Sequence, residues 1–507
     1  MKVEVRSKEI VRPSSPTPQS LKNYKLSFMD QLALNVRIPF VFFYDSSSSG
    51  AYSHDGHTNT IDELKKSLSK TLSLMYPLAG RVKEDKVTIE CNDEGVEFIV
   101  ADVAEIMSCL LENPEMEKIR QLSPSAKVYE PQPVGKVLMA VQVNRFSCGG
   151  IAIGFFVSHA ILDGSTLAKF LEIWASFNRG LFHNGGSGFI SNHSTILFPP
   201  LTDTSALERS VKMAAEAIQQ EEKRMVVKRF VIPANAIAQL REELICKENN
   251  KGLRRPSRTE AITALVWAAV INATPPTQTV PLSCMVNLRR RMEPPLPPNC
   301  LGNLTYGATA HCEAAKDGAA VVTAAQLVEK IRDSLRAVND GAARKVYGEG
   351  GLLRAVIARG HEMARNKDCS TTTLYTSSLC RMPYYEIDFG WGKPRLVVNM
   401  VKNFMVLFLD ASDFEAQVSP ILKMEMKKLC IFISSIPTKL PSFSNPAYGV
   451  IPWLLPWHVV SNGSTIFITS SDNAISTYSQ RLPLSPLNKS SVGLFPVNIS
   501  NKRIPKL

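Results

Sequence analysis

The sequence lacks the features that mark membrane-spanning, disulfide-stapled and zinc-binding proteins. It contains no run of about 18 apolar residues, so no membrane span is predicted. Its ten cysteines form no Cys-x-x-Cys pair and show no Cys/His spacing that suits zinc. Residues 1–8 are charged and provide no apolar core of a signal peptide. We therefore expect reduced cysteines, no metal and a cytoplasmic location.

The chain also lacks a long basic block, although its formal net charge is +12. The lysines and arginines are dispersed, so a nucleic-acid partner is not predicted. A basic surface can attract an anionic cofactor such as a nucleotide phosphate, or it can simply be solvated. The apolar share of 45% is that of a globular protein, and 507 residues are too many for one core. Two domains are therefore the starting expectation.

The most informative pattern present is a histidine that follows an apolar run, with an aspartate four positions later. Residues 151–157 predict a strand that pairs with residues 137–146 through a tight glycine turn. His159 follows that strand, and Gly164 comes directly after Asp163. Apolar residues then recur at helical spacing. A histidine between strand and helix is held by the sheet and exposed at a cleft.

These positions suit a general base, because a neutral imidazole accepts a proton near pH 7 without a large pKa shift. His159 is the candidate base, and Asp163 is expected to point away and pair with an arginine. A buried structural histidine is the plain alternative. A metal site would need a third ligand that is not visible, and no Gly-x-Ser-x-Gly elbow provides a serine nucleophile. Residues 388–390 spell the kinase Asp-Phe-Gly motif without its companion motifs.

The order of predicted elements favours an α/β protein with two mixed halves and a cleft between them. The first half is predicted over residues 1–195 and the second over 206–430. In the first half, Thr60 and Glu63 form a capping-box pattern that predicts a helix start. A loop rich in Gly, Ser, Asn and Pro connects the halves.

Residues 431–507 differ from the rest of the chain. They contain nine prolines, fourteen serines and a single acidic residue, Asp472. Apolar residues occur there without a helical or strand period. We therefore predict an atypical tail that is not part of the catalytic fold.

Five separate motifs stand at Leu26–Gln31, Tyr76–Val82, His159–Gly164, Val286–Arg289 and Asp388–Pro394. Together they resemble those of the plant BAHD acyltransferases, which transfer an acyl group from coenzyme A to an alcohol or amine. The resemblance covers roughly residues 1–430, and within the family it is strongest to the vinorine synthase-like enzymes that acetylate alkaloid alcohols.

The resemblance implies two chloramphenicol-acetyltransferase-like halves, with His159 in a channel between them. Acyl-CoA, in the first place acetyl-CoA, would enter as co-substrate from one side. The acceptor, an alkaloid or terpenoid alcohol, would enter from the other, and no cofactor would be bound permanently. Arg289 matches the family arginine that pairs with Asp163, and Gly164 supports the site. A monomer without nucleic-acid or membrane partners is implied.

The second motif, at Asp388–Pro394, has a structural role in the family and shapes the CoA side. Gly390 and Gly392 permit a tight bend there, and Asp388 can anchor it.

The chain departs from the family pattern at Thr376, Ser377 and Ser378, since a tryptophan often stands in the third place. The hydroxyl of Thr376 or Ser377 is a candidate donor to the developing oxyanion. Ser378, in place of the tryptophan, changes the lining of the site beside them. The altered C-terminal region leaves open a second possibility, a catalytically impaired homologue that binds CoA or a metabolite without turnover.

Overall fold

Two six-stranded mixed sheets and one three-stranded sheet make up the β structure of the residues that the computed structural model describes. All of these residues belong to one compact unit. The described residues are 1–33, 36–45, 56–112, 114–124, 133–182, 190–205, 208, 225–230, 232, 234–246, 254–274, 279–312, 322–347, 373–400, 405–410 and 418–425. The predicted tail, 431–507, lies outside them.

The strands are β1 (Val3–Val11), β2 (Asn23–Lys25), β3 (Arg37–Tyr44), β4 (Arg81–Val82), β5 (Thr88–Glu90), β6 (Val96–Val103), β7 (Met139–Phe146), β8 (Ile151–Ser158), β9 (Met225–Arg229), β10 (Leu282–Asn287), β11 (Thr305–Ala310), β12 (Leu374–Ser378), β13 (Leu396–Asn399), β14 (Met405–Asp410) and β15 (Val418–Glu425). The α-helices are α1 (Phe28–Leu32), α2 (Gly56–Leu74), α3 (Met107–Glu112), α4 (Met116–Arg120), α5 (Gly164–Asn178), α6 (His193–Leu197), α7 (Ala234–Cys246), α8 (Arg258–Ala273), α9 (Ala324–Arg336) and α10 (Asp340–Tyr347).

The first sheet has the order β1-β6-β7-β8-β3-β13, and β8 is buried along its whole length. Both faces of β8 are covered, which is why its sequence is apolar without alternation. Ile153 and Phe155 face the core that α2 and α5 cover, whereas Ala152 faces a smaller cluster on the other side. Trp174 of α5 donates its indole N–H to the Leu64 carbonyl of α2 at 3.1 Å, which ties the two helices together.

The second sheet has the order β11-β10-β12-β14-β15-β9, and its two faces belong to different cores. On β14, Val406 and Phe408 pack into the core that α7, α8 and α9 help to form. Leu407 and Leu409 alternate with them and pack into the core of the first sheet. The second sheet is therefore covered by helices on one face and by the first half of the chain on the other.

The chain passes from the second sheet to the first and back again. Strand β12 lies in the second sheet, β13 pairs antiparallel with β3 in the first, and β14 returns to the second. Leu396 of β13 is in register with Phe43 of β3. The predicted α/β class with two mixed sheets is confirmed, while the boundaries at 195, 206 and 430 stay predictions.

One predicted helix start is wrong. Helix α2 begins at Gly56 rather than after a cap at Thr60, so the Thr60–Glu63 pattern lies inside the helix. A capping-box pattern is local, and four further residues N-terminal to it adopt helical geometry.

Candidate active site

The candidate base stands directly at the end of a central strand. His159 follows β8, and its backbone N–H donates to the Val36 carbonyl at 2.7 Å. The preceding N–H, of Ser158, donates to the Leu138 carbonyl at 2.7 Å. The backbone is therefore held from both neighbouring segments, while His159 as a residue is only partly buried. This matches the predicted placement of the histidine at a strand end.

Asp163 begins the next helix and directs its carboxylate inward. It is the N-cap of α5, and Oδ1 accepts the backbone N–H and the hydroxyl of Thr166, each at 2.9 Å. Oδ2 accepts an N–H of Arg289 at 2.6 Å and the backbone N–H of Leu304 at 3.2 Å, and a second Arg289 N–H reaches Oδ1 at 3.2 Å. The side chains of Arg289 and Asp163 are only 7% and 3% exposed. The spacing of four positions therefore places His159 at the end of a strand and Asp163 at the cap of the next helix.

The Asp163–Arg289 pair sets the charge of the site. Burial alone would raise the pKa of Asp163, but the Arg289 charge and the donated hydrogen bonds hold that pKa below its usual value. The carboxylate therefore remains ionised near neutral pH. Because its oxygens are already occupied, it is badly placed to accept a proton from a substrate, as the sequence predicts.

Arg289 also fixes a loop of the second half against the histidine turn. One of its terminal nitrogens donates to the carbonyls of Cys300 and Gly302, both at 3.0 Å. Gly302 forms an isolated parallel bridge with Leu162. Its φ is +111°, and a Cβ there would lie 2.9 Å from Oδ1 of Asp30, so glycine is needed at this approach.

The sequence did not indicate the second contact of this loop, which involves Asn303 and Asp30. Asp30 is fully buried in α1, and its Oδ1 accepts the backbone N–H of Asn303 at 2.6 Å and the side-chain amide at 3.1 Å. Its Oδ2 accepts the N–H and hydroxyl of Ser27 at 2.9 and 2.6 Å. Burial raises the pKa of Asp30 to about 6 against these four donors. The amide of Asn303 also donates to the His159 carbonyl.

The electrostatic setting of His159 favours its neutral form. Burial disfavours the imidazolium and lowers the pKa of His159 below its usual value. The Asp163 charge opposes this, as do the carbonyls of His159 and Leu162 and the side chain of Asn303, but they do not cancel it. The ring nitrogen Nδ1 is buried and has no hydrogen-bond partner among the described residues. Nδ1 is therefore closed to a substrate, and Nε2 is the ring nitrogen left as the candidate proton acceptor.

Gly164 lies where the two halves approach closely. Its carbonyl accepts the hydroxyl of Tyr384 at 2.8 Å, and a Cβ at this position would lie 2.6 Å from a methyl group of Leu379. A larger residue would push the helix start, and with it Asp163, away from the second half.

The two candidate oxyanion donors lie on opposite faces of β12. Thr376 is in register with Cys284, and its hydroxyl donates to the Cys284 sulfur at 3.2 Å on the helix-covered face. Ser377 is in register with Leu407, which packs into the core of the first half. Since successive side chains of a strand alternate, Ser377 faces the first half and Thr376 does not.

The second motif forms the tight bend that its glycines permit. Oδ1 of Asp388 accepts the N–H groups of Gly390 and Gly392 at 2.7 and 2.9 Å, and these glycines have φ values of +114° and +103°. The rings of Phe389 and Trp391 stack with their centroids 5.6 Å apart, in the core that α2 and α5 cover. Within the described residues, the side chains of this motif make packing contacts and hydrogen bonds that shape the bend, and none of these hydrogen bonds reaches His159.

Among the described residues, no three or more His, Cys, Asp or Glu side chains lie together so that they could hold a metal ion. Within the same part of the chain, no helix is both long enough and apolar enough to cross a membrane.

Comparison with known proteins gives the family of this chain. The model of the Transferase family matches residues 1–429. The chain belongs to this family, the BAHD acyltransferases, as the motifs predict, and is an acyl-CoA-dependent O-acyltransferase.

Two curated relatives illustrate the likeness in sequence. Limonoid 21-O-acetyltransferase of Melia azedarach is 37% identical over 420 residues, which cover 82% of this chain and 92% of the relative. Salutaridinol 7-O-acetyltransferase of Papaver somniferum is 35% identical over 423 residues, 77% of this chain and 87% of the relative.

Two solved structures illustrate the likeness in fold. The crystal structure of vinorine synthase superposes with a TM-score of 0.65 at 30% identity, over 85% of this chain and 96% of that one. F. graminearum TRI101, solved with coenzyme A and T-2 mycotoxin, gives a TM-score of 0.61 over 84% and 98% of the two chains. At 14% identity, TRI101 supports the fold alone.

Proposed function

We propose that this protein transfers an acetyl group from acetyl-CoA to a hydroxyl of a plant specialised metabolite, such as an alkaloid or terpenoid alcohol, with His159 as general base. The observation that carries the proposal is a partly exposed histidine with a lowered pKa at a strand end. The nearby carboxylate of Asp163 is fully engaged elsewhere. The names of the two curated relatives, both O-acetyltransferases, support acetyl as the group and a hydroxyl as the acceptor.

The chemistry requires one proton acceptor. Nε2 of His159 removes the proton of the acceptor hydroxyl while the oxygen attacks the thioester carbonyl. The tetrahedral intermediate collapses, the C–S bond breaks, and the CoA thiolate leaves and takes the proton from the imidazolium. General base catalysis of this kind contributes about 10²–10⁴-fold. Holding both substrates against one residue supplies much of the remaining acceleration.

The negative charge that develops on the carbonyl oxygen needs a donor, and Ser377 is the better of the two candidates. The hydroxyl of Thr376 is committed to Cys284 on the face that points away from the first half. Ser377 lies on the other face and is only partly buried. A donor aimed at the oxyanion contributes to rate because it acts mainly in the transition state.

The roles of the remaining residues follow from their contacts. Asp163 and Arg289 are positioning residues, because they fix the turn that carries His159 without contacting a substrate. Gly164 permits the close approach of the second half. Asp388, with the bend that it anchors, supports the fold on the side that the family uses for CoA. A cytoplasmic monomer stays a prediction.

The test is incubation of the purified full chain with acetyl-CoA and a panel of alkaloid and terpenoid alcohols, with free thiol and the acetylated product measured together. Thiol release that depends on an acceptor, and that is lost in His159→Ala, is the expected result. A protein that binds CoA by calorimetry but releases no thiol with any alcohol would support the impaired homologue instead. The contacts of His159, Asp163 and Arg289 give that alternative no support.

A further inference from the structure

His159 needs a partner on the side of its ring that faces away from the substrate. A neutral base that accepts a proton at Nε2 must carry its hydrogen on Nδ1, and the bond made by Nδ1 decides which nitrogen is protonated. In serine hydrolases an aspartate has this role. Here the aspartate whose charge acts on the ring, Asp163, is bound by Arg289, Thr166 and Leu304. Nδ1 of His159 is nevertheless buried, without a partner among the described residues.

Asn303 carries a second unpartnered atom, and its side chain contacts the backbone of the same histidine. Its side-chain amide donates to the His159 carbonyl and to Oδ1 of Asp30. Both of these groups are acceptors, so the nitrogen of the amide must face them and its oxygen must face elsewhere. That oxygen, Oδ1 of Asn303, is buried and has no partner among the described residues.

A buried polar atom without a hydrogen bond costs free energy of folding. Nδ1–H of His159 is a donor and Oδ1 of Asn303 is an acceptor, so a hydrogen bond between them would remove both costs. We propose that Asn303 is the positioning residue of the catalytic histidine, with its Oδ1 accepting the Nδ1–H of His159. Nε2 is thereby left unprotonated and turned towards the acceptor alcohol. Asp30 fixes the amide in the orientation that this requires. The inference rests on the proposed role of His159 as the base.

The surrounding charges are consistent with this arrangement. The charged side chain that acts on the ring directly is Asp163, which is neutralised by Arg289. Asp30 acts through Asn303, to which it is bonded twice. The side chain of Asn303 raises the pKa of His159, as an acceptor beside a protonated ring nitrogen does. The competing acceptors are the carbonyls of His159 itself and of Leu162.

Nitrogen NMR of the full chain labelled with [15N]histidine tests the assignment. The ring signals of His159 are identified by their loss in His159→Ala. The expected wild-type state at pH 8 has Nδ1 protonated and Nε2 unprotonated. In Asn303→Ala this tautomer preference is lost, and the ring pKa falls by about half to one unit, the effect of one neutral hydrogen bond. Because the spectrum requires no turnover, it is informative even if no alcohol is acetylated.

Kinetics provide the second readout. For Asn303→Ala, kcat is expected to fall on the order of 10- to 100-fold with little change in KM for acetyl-CoA, because the base is misplaced. The acid limb of the kcat/KM profile moves to lower pH with the ring pKa. Asn272 is the matched control, since its side chain also braces the backbone, at Val322, but in the second half. Asn272→Ala should lose stability and keep the pH profile.

Three outcomes overturn the proposal. If NMR shows that the His159 ring of the wild type is protonated at Nε2, the proposal is already contradicted. An unchanged tautomer in Asn303→Ala assigns Nδ1–H to a backbone carbonyl instead. A loss of stability with an unchanged pH profile, like that of Asn272→Ala, makes Asn303 structural only. If Asn303→Ala does not fold, Asn303→Ser keeps a hydroxyl that can donate to Asp30 and withdraws the amide oxygen from the ring.

Discussion

Replacing Asp163 by alanine should damage the protein through Arg289. The variant removes an acceptor of two Arg289 hydrogen bonds, at 2.6 and 3.2 Å, and of bonds from Thr166 and Leu304. The Arg289 guanidinium then stays buried without its counter-ion. Breaking a buried pair in this way costs about 3–5 kcal/mol. This is a large part of the roughly 5–15 kcal/mol that separates a native domain from its unfolded state.

Activity should fall with stability, because the turn that carries His159 loses its attachment to the loop at Gly302. A displacement of about 1 Å at a catalytic group can cost about 100-fold in rate. Urea unfolding followed by tryptophan fluorescence gives the free energy of unfolding, and thiol release gives kcat. The control is Asp333→Ala, since Asp333 is 71% exposed and its pair with Arg336 lies at the surface.

The double variant Asp163→Ala, Arg289→Met separates charge from position. Removing both charges should recover most of the lost stability, since an apolar pair can replace a buried ion pair at little cost. It should not restore kcat, because the attachment of the turn is still missing. An Asp163→Ala variant with unchanged unfolding free energy and a displaced pH–rate profile would refute this reasoning. Asp163 would then take part in proton transfer itself.

Four further predictions concern the base, its pH dependence, the oxyanion donor and the tail. His159→Ala should lower kcat about 10²–10⁴-fold with an unchanged circular dichroism spectrum, and activity within threefold of wild type would remove the assignment. In the wild type, kcat/KM should rise with pH through a pKa below the usual 6.5 of histidine and then level off, because burial lowers the pKa of His159 and only the neutral ring accepts a proton; a midpoint above 7 in that profile contradicts this. Ser377→Ala should lower kcat about 10-fold or more and Thr376→Val much less, as measured by thiol release, and the reverse order would reassign the donor. A chain without residues 431–507 should remain soluble and active, and aggregation on truncation would show that the tail is part of the fold.

The sequence predicted the parts of the site that depend on neighbouring residues. The strand, His159 and the helix after Gly164 all lie within one short stretch, where strand and helix patterns are strong. Arg289 came from a resemblance of motifs rather than from any local pattern. Its pairing with Asp163 spans 126 positions, which no periodicity encodes.

The contacts that were missed are those between distant segments. Asp30 and Asn303 are 273 positions apart, and neither carries a local signal that it meets the other. The destination of β13 is similar. The pairing of β13 with β3 depends on the packing of the whole first sheet, which its own residues do not encode. The face of β12 that each hydroxyl occupies also requires the register with β10 and β14.

The crossing of β13 into the first sheet determines how this chain can be divided. A fragment that ends at residue 195 would retain β3 but not the strand that pairs with its outer edge. That edge belongs to a run with Phe40, Val41, Phe42 and Phe43 all buried, and an exposed apolar edge strand invites pairing with other chains. The two halves are therefore unsuited to separate expression. A cut after β13 does not avoid the problem, because it separates β14 and β15 from their partners β12 and β9 in the second sheet.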